Sequence, residues 1–503
     1  MSPSFMLGID LGTSSAKALI VGADGQLMGI SSREYDILIP HPGWAEQDPQ
    51  TWFQAVTQAI REALYKAKLP PQEIAAIGFS GQMHGTVCLD QYGKVLRQAI
   101  IWADQRSQTQ VTFVDQTIGK DKLGQWTGNP LATGFMLPSW LWLRENRPAE
   151  AKATTCLLLP KDYLRYAFTG EIGSEPSDAS STLLFDTANR QWCLPLLERL
   201  DISPSLLPSI HESTQVAGGL TRSIAEATDL IPGIPVVFGG SDQACQAIGH
   251  GIIDPSVMSS TIGTGGQLFA PLSIPRYDPE LRLHLFCHAL PQLWHLESAI
   301  LSAGLALKWL RDHLKLAGSY QELADLAAQS PPGSEDLIFT PYLLGERTPH
   351  MDPQACATFM GLSFNHTRAH LIRTVMEGVV FALRQGLEIM QNLGVDPEKI
   401  VASGGATAHP LWLQLQADIF NRPIYRSTTS EAAAFGAALL AGVGAGFFPN
   451  IQAACQQVIA FHEDPVQPDP QTVSLYATCY STFCQLYPAL RGISPQTPSG
   501  TAL

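Results

Sequence analysis

Apolar and polar positions follow two rhythms along this chain. Phe5 to Ile9 is a short apolar segment that meets the polar turn Asp10-Leu-Gly-Thr-Ser-Ser15. Ala16 to Val21 is a second, closed by Gly22-Ala-Asp-Gly25. The pattern predicts strand, glycine turn, strand, turn. Asp48-Pro49 then opens a helix, a capping residue followed by proline at the first helical position. Trp52, Phe53, Val56, Ile60 and Leu64 continue it at helical spacing. Ile74 to Phe79 is apolar throughout and ends in Ser80-Gly81, the mark of a buried strand. Strands and helices alternate along most of the remaining chain, an α/β pattern.

Three later strands end in polar, glycine-bearing loops, where ligands of α/β proteins gather. Val236 to Gly240 runs into Ser241-Asp242-Gln243, and Ser259 to Ile262 into Gly263-Thr-Gly-Gly266. Ile400 to Ala402 runs into Ser403-Gly-Gly-Ala406 and an amphipathic helix from Pro410 to Phe420. The Gly-Thr turns after Asp10 and after Ile262 echo one another, as a duplicated two-domain protein would. The expected boundary lies near Asp254-Pro255, giving domains 1–253 and 254–490 with a tail over 491–503.

Length changes the picture first: 503 residues are too many for one core at about 150 residues per domain. With 45% hydrophobic and 15% charged residues, the chain suits a large enzyme rather than a disordered or coiled-coil protein. A net charge of −14 argues against nucleic acid and anionic membrane surfaces as partners. The nine cysteines are odd in number and form no C-x-x-C pair, so a reducing cytoplasm is expected rather than a disulfide framework or a cysteine zinc site. The N-terminus has no basic region and meets a carboxylate at once, unlike a signal peptide. The uncharged run 432–448 carries four glycines and stops at Pro449, so it reads as a buried helix and loop, not a membrane span.

Candidate chemistry sits at the strand ends. Asp10 before a glycine turn can hold a hydrated Mg²⁺ while the backbone and Thr13, Ser14 and Ser15 face phosphate oxygens; capping of the hairpin turn is the alternative. Asp242 is a candidate general base, or else the N-cap of a helix over 243–250. In Gly81-Gln-Met-His-Gly85, His84 can donate a hydrogen bond to a polyol hydroxyl or serve structure alone. Trp102, beside Asp104 and Arg106, offers an indole face that suits a sugar, and the charges equally suit a surface ion pair. No G-x-x-x-x-G-K-[ST], G-x-G-x-x-G, H-E-x-x-H or G-x-S-x-G occurs.

Taken in order, these motifs resemble the FGGY carbohydrate kinases, most closely their xylulokinase branch, from Gly8 to about Leu490. The pieces are Gly8-Ile-Asp-Leu-Gly-Thr13, Trp44-Ala-Glu-Gln-Asp48-Pro, Gly81-Gln-Met-His-Gly85, Trp102-Ala-Asp-Gln-Arg106 and Leu159-Pro-Lys-Asp-Tyr-Leu164. Phe286-Cys-His-Ala-Leu290, Gly345-Glu-Arg-Thr-Pro-His350, Gly404-Gly405, Ala434-Phe-Gly-Ala-Ala438 and Leu486-Tyr-Pro-Ala-Leu490 complete the set.

The resemblance implies two actin-like, ribonuclease-H-like ATPase domains closing on a cleft, with sugar on the first and ATP mostly on the second. It implies transfer of the ATP γ-phosphate to O5 of D-xylulose in the presence of Mg²⁺. By the same carry-over Asp242 is the base and Asp10 the carboxylate near the metal. Met83, His84, Gln243 and Trp102 meet the sugar, while Thr13, Ser14, Gly263, Thr264, Gly404 and Gly405 meet the nucleotide. Homodimers are common among such kinases, and nothing in this sequence specifies one. Three positions depart from the pattern: Gln243 where many xylulokinases have Asn, as in glycerol kinases; Gly265 where Ser is usual; and Ser139 where the family carries Lys. Gln243 also leaves open a kinase for glycerol, D-ribulose or another short polyol. A non-catalytic sugar sensor could lose Asp10 or Asp242, and both are present.

Overall fold

The computed structural model describes residues 4–492 and contains two large β-sheets that share a core topology, beside four two-stranded ones. The first holds β1 (Phe5–Leu11), β2 (Ser15–Gly22), β3 (Leu27–Glu34), β4 (Ile74–Gly81), β5 (Val216–Gly219), β6 (Pro235–Val237) and β7 (Gly240–Ser241). β1, β2 and β3 form an antiparallel meander, and β4 continues from β1 in parallel, followed by β6 and β7. The second holds β8 (Val257–Ile262), β9 (Gly266–Leu272), β10 (His284–Cys287), β11 (Trp294–Ile300), β12 (Lys399–Ser403) and β13 (Ile424–Arg426). Here β8, β9 and β11 make the meander, and β12 and β13 extend β8 in parallel. The echo between the two Gly-Thr turns is therefore topological: each closes the first hairpin of its sheet.

The elements form where the sequence patterns them. α1 (Pro49–Ala67) is capped by the Asp48 carboxylate, which accepts from the Gln50 N–H, and it buries Trp52, Val56, Ile60 and Leu64. α2 (Asp242–Gly249) follows β7, and α3 (Gly304–Asp312) follows β11. α4 (Arg368–Asn392) is the long core helix under the second sheet, and α5 (Pro410–Phe420) matches its predicted span. α6 (Ala432–Gly444) and α7 (Pro470–Leu490) close the chain, and most of the expected tail lies outside the described residues.

Two of these helices cross over. α6 follows the last strand of the second sheet yet packs on β1 and β4 of the first. α2 follows the last strand of the first sheet, and its Ala247 packs with Phe269 and Val401 of the second. The backbones approach too closely for side chains: a Cβ on Gly8 or Gly78 would strike the α6 carbonyls of Ala434 and Ala437, and one on Gly436 would strike Cys245 of α2. The uncharged run is thus a buried helix between the two halves. Among the described residues no helix is long and apolar enough to cross a membrane. All nine cysteines are free thiols.

Candidate active site

The ends of β1, β4 and β7 meet below the cleft. Asp10 leaves β1 with its carboxylate accepting from the Ser80 hydroxyl at 2.8 Å. Burial pushes its pKa up, against that hydrogen bond and the nearby Lys17 ammonium. Lys17 was not singled out in the sequence; it pairs with Glu431, just before α6, at 2.7 Å and so ties the first hairpin to the crossing helix.

The hairpin turn is held from behind. Gln47 donates to the Thr13 carbonyl at 2.6 Å, and Trp52 and Gln82 both donate to Gln47 Oε1. Trp102 donates its indole N–H to Thr13 Oγ at 2.8 Å, while its ring stays 40% exposed. Its polar edge is thereby committed to the Gly-Thr turn and only its face is open. Ser14 is exposed beside it. Asp104 and Arg106 are not a surface pair: both are buried, bonded to each other and, through Arg106, to Glu46 at 2.7 Å. Arg106 lies 3.6 Å from the Trp44 ring centroid. The Trp44 and Trp102 motifs therefore brace one loop.

Asp242 is the first residue of α2, but Ser241 takes the N-cap position, its hydroxyl accepting from Ala244 N. The Asp242 carboxylate is freed from capping and accepts from the adjoining Gln243 N–H, at 2.7 Å. Burial, then the charges of Asp10 and Glu297, push its pKa up to about 8. The loop carrying it is anchored from below, where Ser177 Oγ accepts from Ser241 N at 2.9 Å and donates to Glu175. Glu175 and Asp162 flank the fully buried Lys161 of the Leu159-Pro-Lys-Asp-Tyr-Leu164 motif, and Asp162 bonds it at 2.6 Å.

His84 has a left-handed backbone, φ 73°, and its ring lies against Phe135, tilted by 34° with 3.9 Å between centroids. Its Nδ1 lies 2.7 Å from the Ser181 carbonyl. A carbonyl only accepts, so Nδ1 carries the proton and Nε2 is left as an acceptor. Burial pulls its pKa down to about 4, so the ring is neutral at neutral pH. The expected donor role is thus reversed, and His84 can accept from a hydroxyl. Met83 is 5% exposed and packs in the apolar cluster with Phe135 and Phe286. Gln243 is partly exposed beside Asp242.

The second half supplies Glu297, which no short motif marked, and Arg347, which lies in a quoted motif without a role assigned to it. Glu297 on β11 accepts from Gln267 on β9 at 3.0 Å through Oε1, and its buried Oε2 has no partner. Burial raises its pKa to about 7 against the pull of Arg347. Arg347, in the Gly345-Glu-Arg-Thr-Pro-His350 loop, is an exposed cation whose field reaches Glu297, His84 and His284. The signal for Glu297 is the one carboxylate in a strand, Trp294–Ile300, that is buried throughout.

Gly263 and Thr264 form an exposed turn whose carbonyls accept from Ala303, Gly304 and Leu305 at the start of α3. A Cβ at Gly265 would lie 2.7 Å from the Ile300 carbonyl, which accounts for glycine where the family has Ser. Ser139 is wholly buried in the helix Met136–Asn146, and nothing in the structure explains the exchange of lysine for serine. Gly263, Thr264 and Gly405 line a cavity of about 260 Å³ with Leu305, Ala324 and Trp412, mostly apolar walls with glycine backbone at one end. Gly404 lies on the far side of the same loop. The cavity matches a flat heterocycle carrying a phosphate chain.

Among the described residues no three His, Cys, Asp or Glu groups form a metal cluster. Asp10 and Asp242 nevertheless suit a hydrated Mg²⁺, which binds through one or two carboxylates and nucleotide oxygens. Both acids are partly buried and the Asp10 charge raises the Asp242 pKa, so they are a donor set that a cation would relieve.

Two duplicated sheets flanking a cleft, with carboxylates on one side and a glycine-lined cavity on the other, define an actin-like ATPase of the sugar-kinase class. The comparisons agree. The N-terminal domain of the FGGY family of carbohydrate kinases matches residues 5–249, and its C-terminal domain matches residues 258–445. The xylulose kinase of Staphylococcus epidermidis is 37% identical over 489 residues, 97% of each chain. That of Escherichia coli is 36% identical over 487 residues, 96% of this chain and 99% of its own. A solved xyloylose kinase of Brucella ovis superposes with a TM-score of 0.91 at 35% identity, over 97% of this chain and 100% of the other. The chain belongs to the FGGY family and is a carbohydrate kinase that uses ATP as phosphate donor.

Proposed function

We propose that the protein transfers the γ-phosphate of ATP to the 5-hydroxyl of D-xylulose, giving D-xylulose 5-phosphate and ADP, with Asp242 as general base. The observation that carries this reading is the Asp242 carboxylate, released from capping by Ser241 and held near pKa 8. An acid of that pKa takes a proton from an alcohol whose oxygen is bonding to phosphorus far better than an ordinary carboxylate does. His84 Nε2 accepts from a sugar hydroxyl, while Met83, Gln243 and the Trp102 face shape the pocket. Thr13 and Ser14 on one side, and Gly263 and Thr264 on the other, donate to phosphate oxygens. Gly404 and Gly405 let the nucleotide approach the backbone. Asp10, with Asp242 adjoining, holds Mg²⁺, which supplies charge neutralisation on the phosphates when bound. Sugar sits on the part before Asp254 and nucleotide mostly on the part after it. The xylulose kinase names of the relatives support the ketose.

A second reading, a kinase for another short polyol or ketose such as glycerol or D-ribulose, is favoured by Gln243 and by the polar Gln267–Glu297 pair. A sugar sensor without catalysis is opposed by the presence of both Asp10 and Asp242. Coupled ADP release with Mg-ATP over D-xylulose, D-ribulose, L-ribulose, glycerol, xylitol and no sugar separates the three. The expected result is the highest kcat/KM on D-xylulose. Preference for another member transfers the assignment to that sugar, and ATP turnover indifferent to every sugar overturns the D-xylulose reading.

A further inference from the structure

Behind the nucleotide loop lies a second cavity, of about 340 Å³, walled by polar side chains. It opens where the chain passes between the two halves. His250 comes from the segment leaving α2, and Ser427, Thr429 and Ser430 from the segment joining β13 to α6. Gly404 and Thr407 close it toward the nucleotide loop, and His462 closes the outer side. α2 has eight residues, so at 1.5 Å per residue its far end lies about 12 Å from Asp242.

The charge pattern selects the ligand. Arg426, at the end of β13, lines the cavity, and no carboxylate pairs with its guanidinium among the described residues. No Asp or Glu is in the wall at all. The adjoining Glu431 is held by Lys17 on the other side of the segment. His250 is 6% exposed, and its Nδ1 is buried without a partner. A lone cation, an orphaned imidazole nitrogen and several hydroxyls make a site for an oxyanion with a hydroxylated body, since guanidinium and hydroxyl donors match phosphate oxygens.

We propose that this hinge cavity binds a small phosphate monoester or inorganic phosphate, its phosphoryl group on Arg426 and His250, separately from the ATP cavity. It is a site in addition to the kinase reaction and does not rest on the identity of the sugar.

The test is calorimetric titration of the full-length protein, held at saturating ADP, with inorganic phosphate in one arm and ribose 5-phosphate in the other. Saturable binding is expected in at least one arm, and the arm that binds tells free phosphate from a sugar ester. Arg426→Met should weaken it at least about tenfold, as loss of a charge-assisted contact does, with ATP turnover in the absence of anion unchanged. His250→Gln, at the other end of the contact, is the second variant should the first not fold. Binding of equal strength in the variants, or no saturation by about 20 mM in either arm, far weaker than millimolar affinity, overturns the proposal.

Discussion

At His84 one hydrogen bond decides the chemistry. The Ser181 carbonyl fixes the proton on Nδ1, so the ring offers a lone pair. His84→Asn, which tolerates the left-handed backbone, should raise the sugar KM by about tenfold, the cost of leaving a hydroxyl unpaired, with kcat changed far less. An unchanged KM would make His84 structural. Asp242 gives a prediction of two signs. Its folded pKa of about 8 lies above the ordinary 3.8, so its contribution to stability is fully present below pH 4 and is lost as pH rises through 8. Asp242→Asn should therefore lose phosphoryl transfer by about 10²-fold or more while melting higher than wild type at pH 9. The two should melt alike near pH 4. For the wild type, kcat/KM should rise with pH up to about 8 with the slope of one proton. A profile already flat from pH 5 to 9 would remove Asp242 from the base role. The sequence marked these residues but not their states, because Ser181 and Glu297 lie 97 and 55 positions away in the chain from His84 and Asp242.

At the scale of elements, α6 is the member whose role the sequence concealed. Its residues are apolar on every face, so periodicity says buried and nothing of against what. The structure lays it on β1 and β4, opposite α2, with backbone contacts that admit only glycine. Gly436→Val should destabilise the protein by about 1–3 kcal/mol or more, read as a lower denaturant midpoint at constant m. An unshifted midpoint would mean the two helices can separate freely. Elements with sharp boundaries were legible: the Asp48-Pro49 start of α1, and α5 between Pro410 and Phe420. β3 was not, since Ser31, Ser32 and Arg33 break its apolar pattern and only pairing with β2 makes it a strand. The Trp102 loop misled in another way. Its charges suit a sugar site or a surface ion pair equally in the sequence, and neither reading finds the buried partner Glu46, 60 positions from Arg106.

Across the whole molecule the duplication explains the site. Each half presents its first hairpin turn to the cleft, and in each the helix that follows the last strand of its sheet packs against the other half. Closure of the cleft would bring Asp242 to the phosphate and exclude water, which otherwise competes as acceptor. The central claim is which oxygen receives the phosphate. Incubation of the protein with Mg-ATP and ¹³C-labelled D-xylulose, followed by ³¹P and ¹³C NMR of the product, tests it directly. The account predicts a single monoester with phosphorus coupling at C5, absent when Asp242→Asn replaces the wild type. Phosphate at another carbon, or inorganic phosphate released with the sugar unchanged, would contradict it.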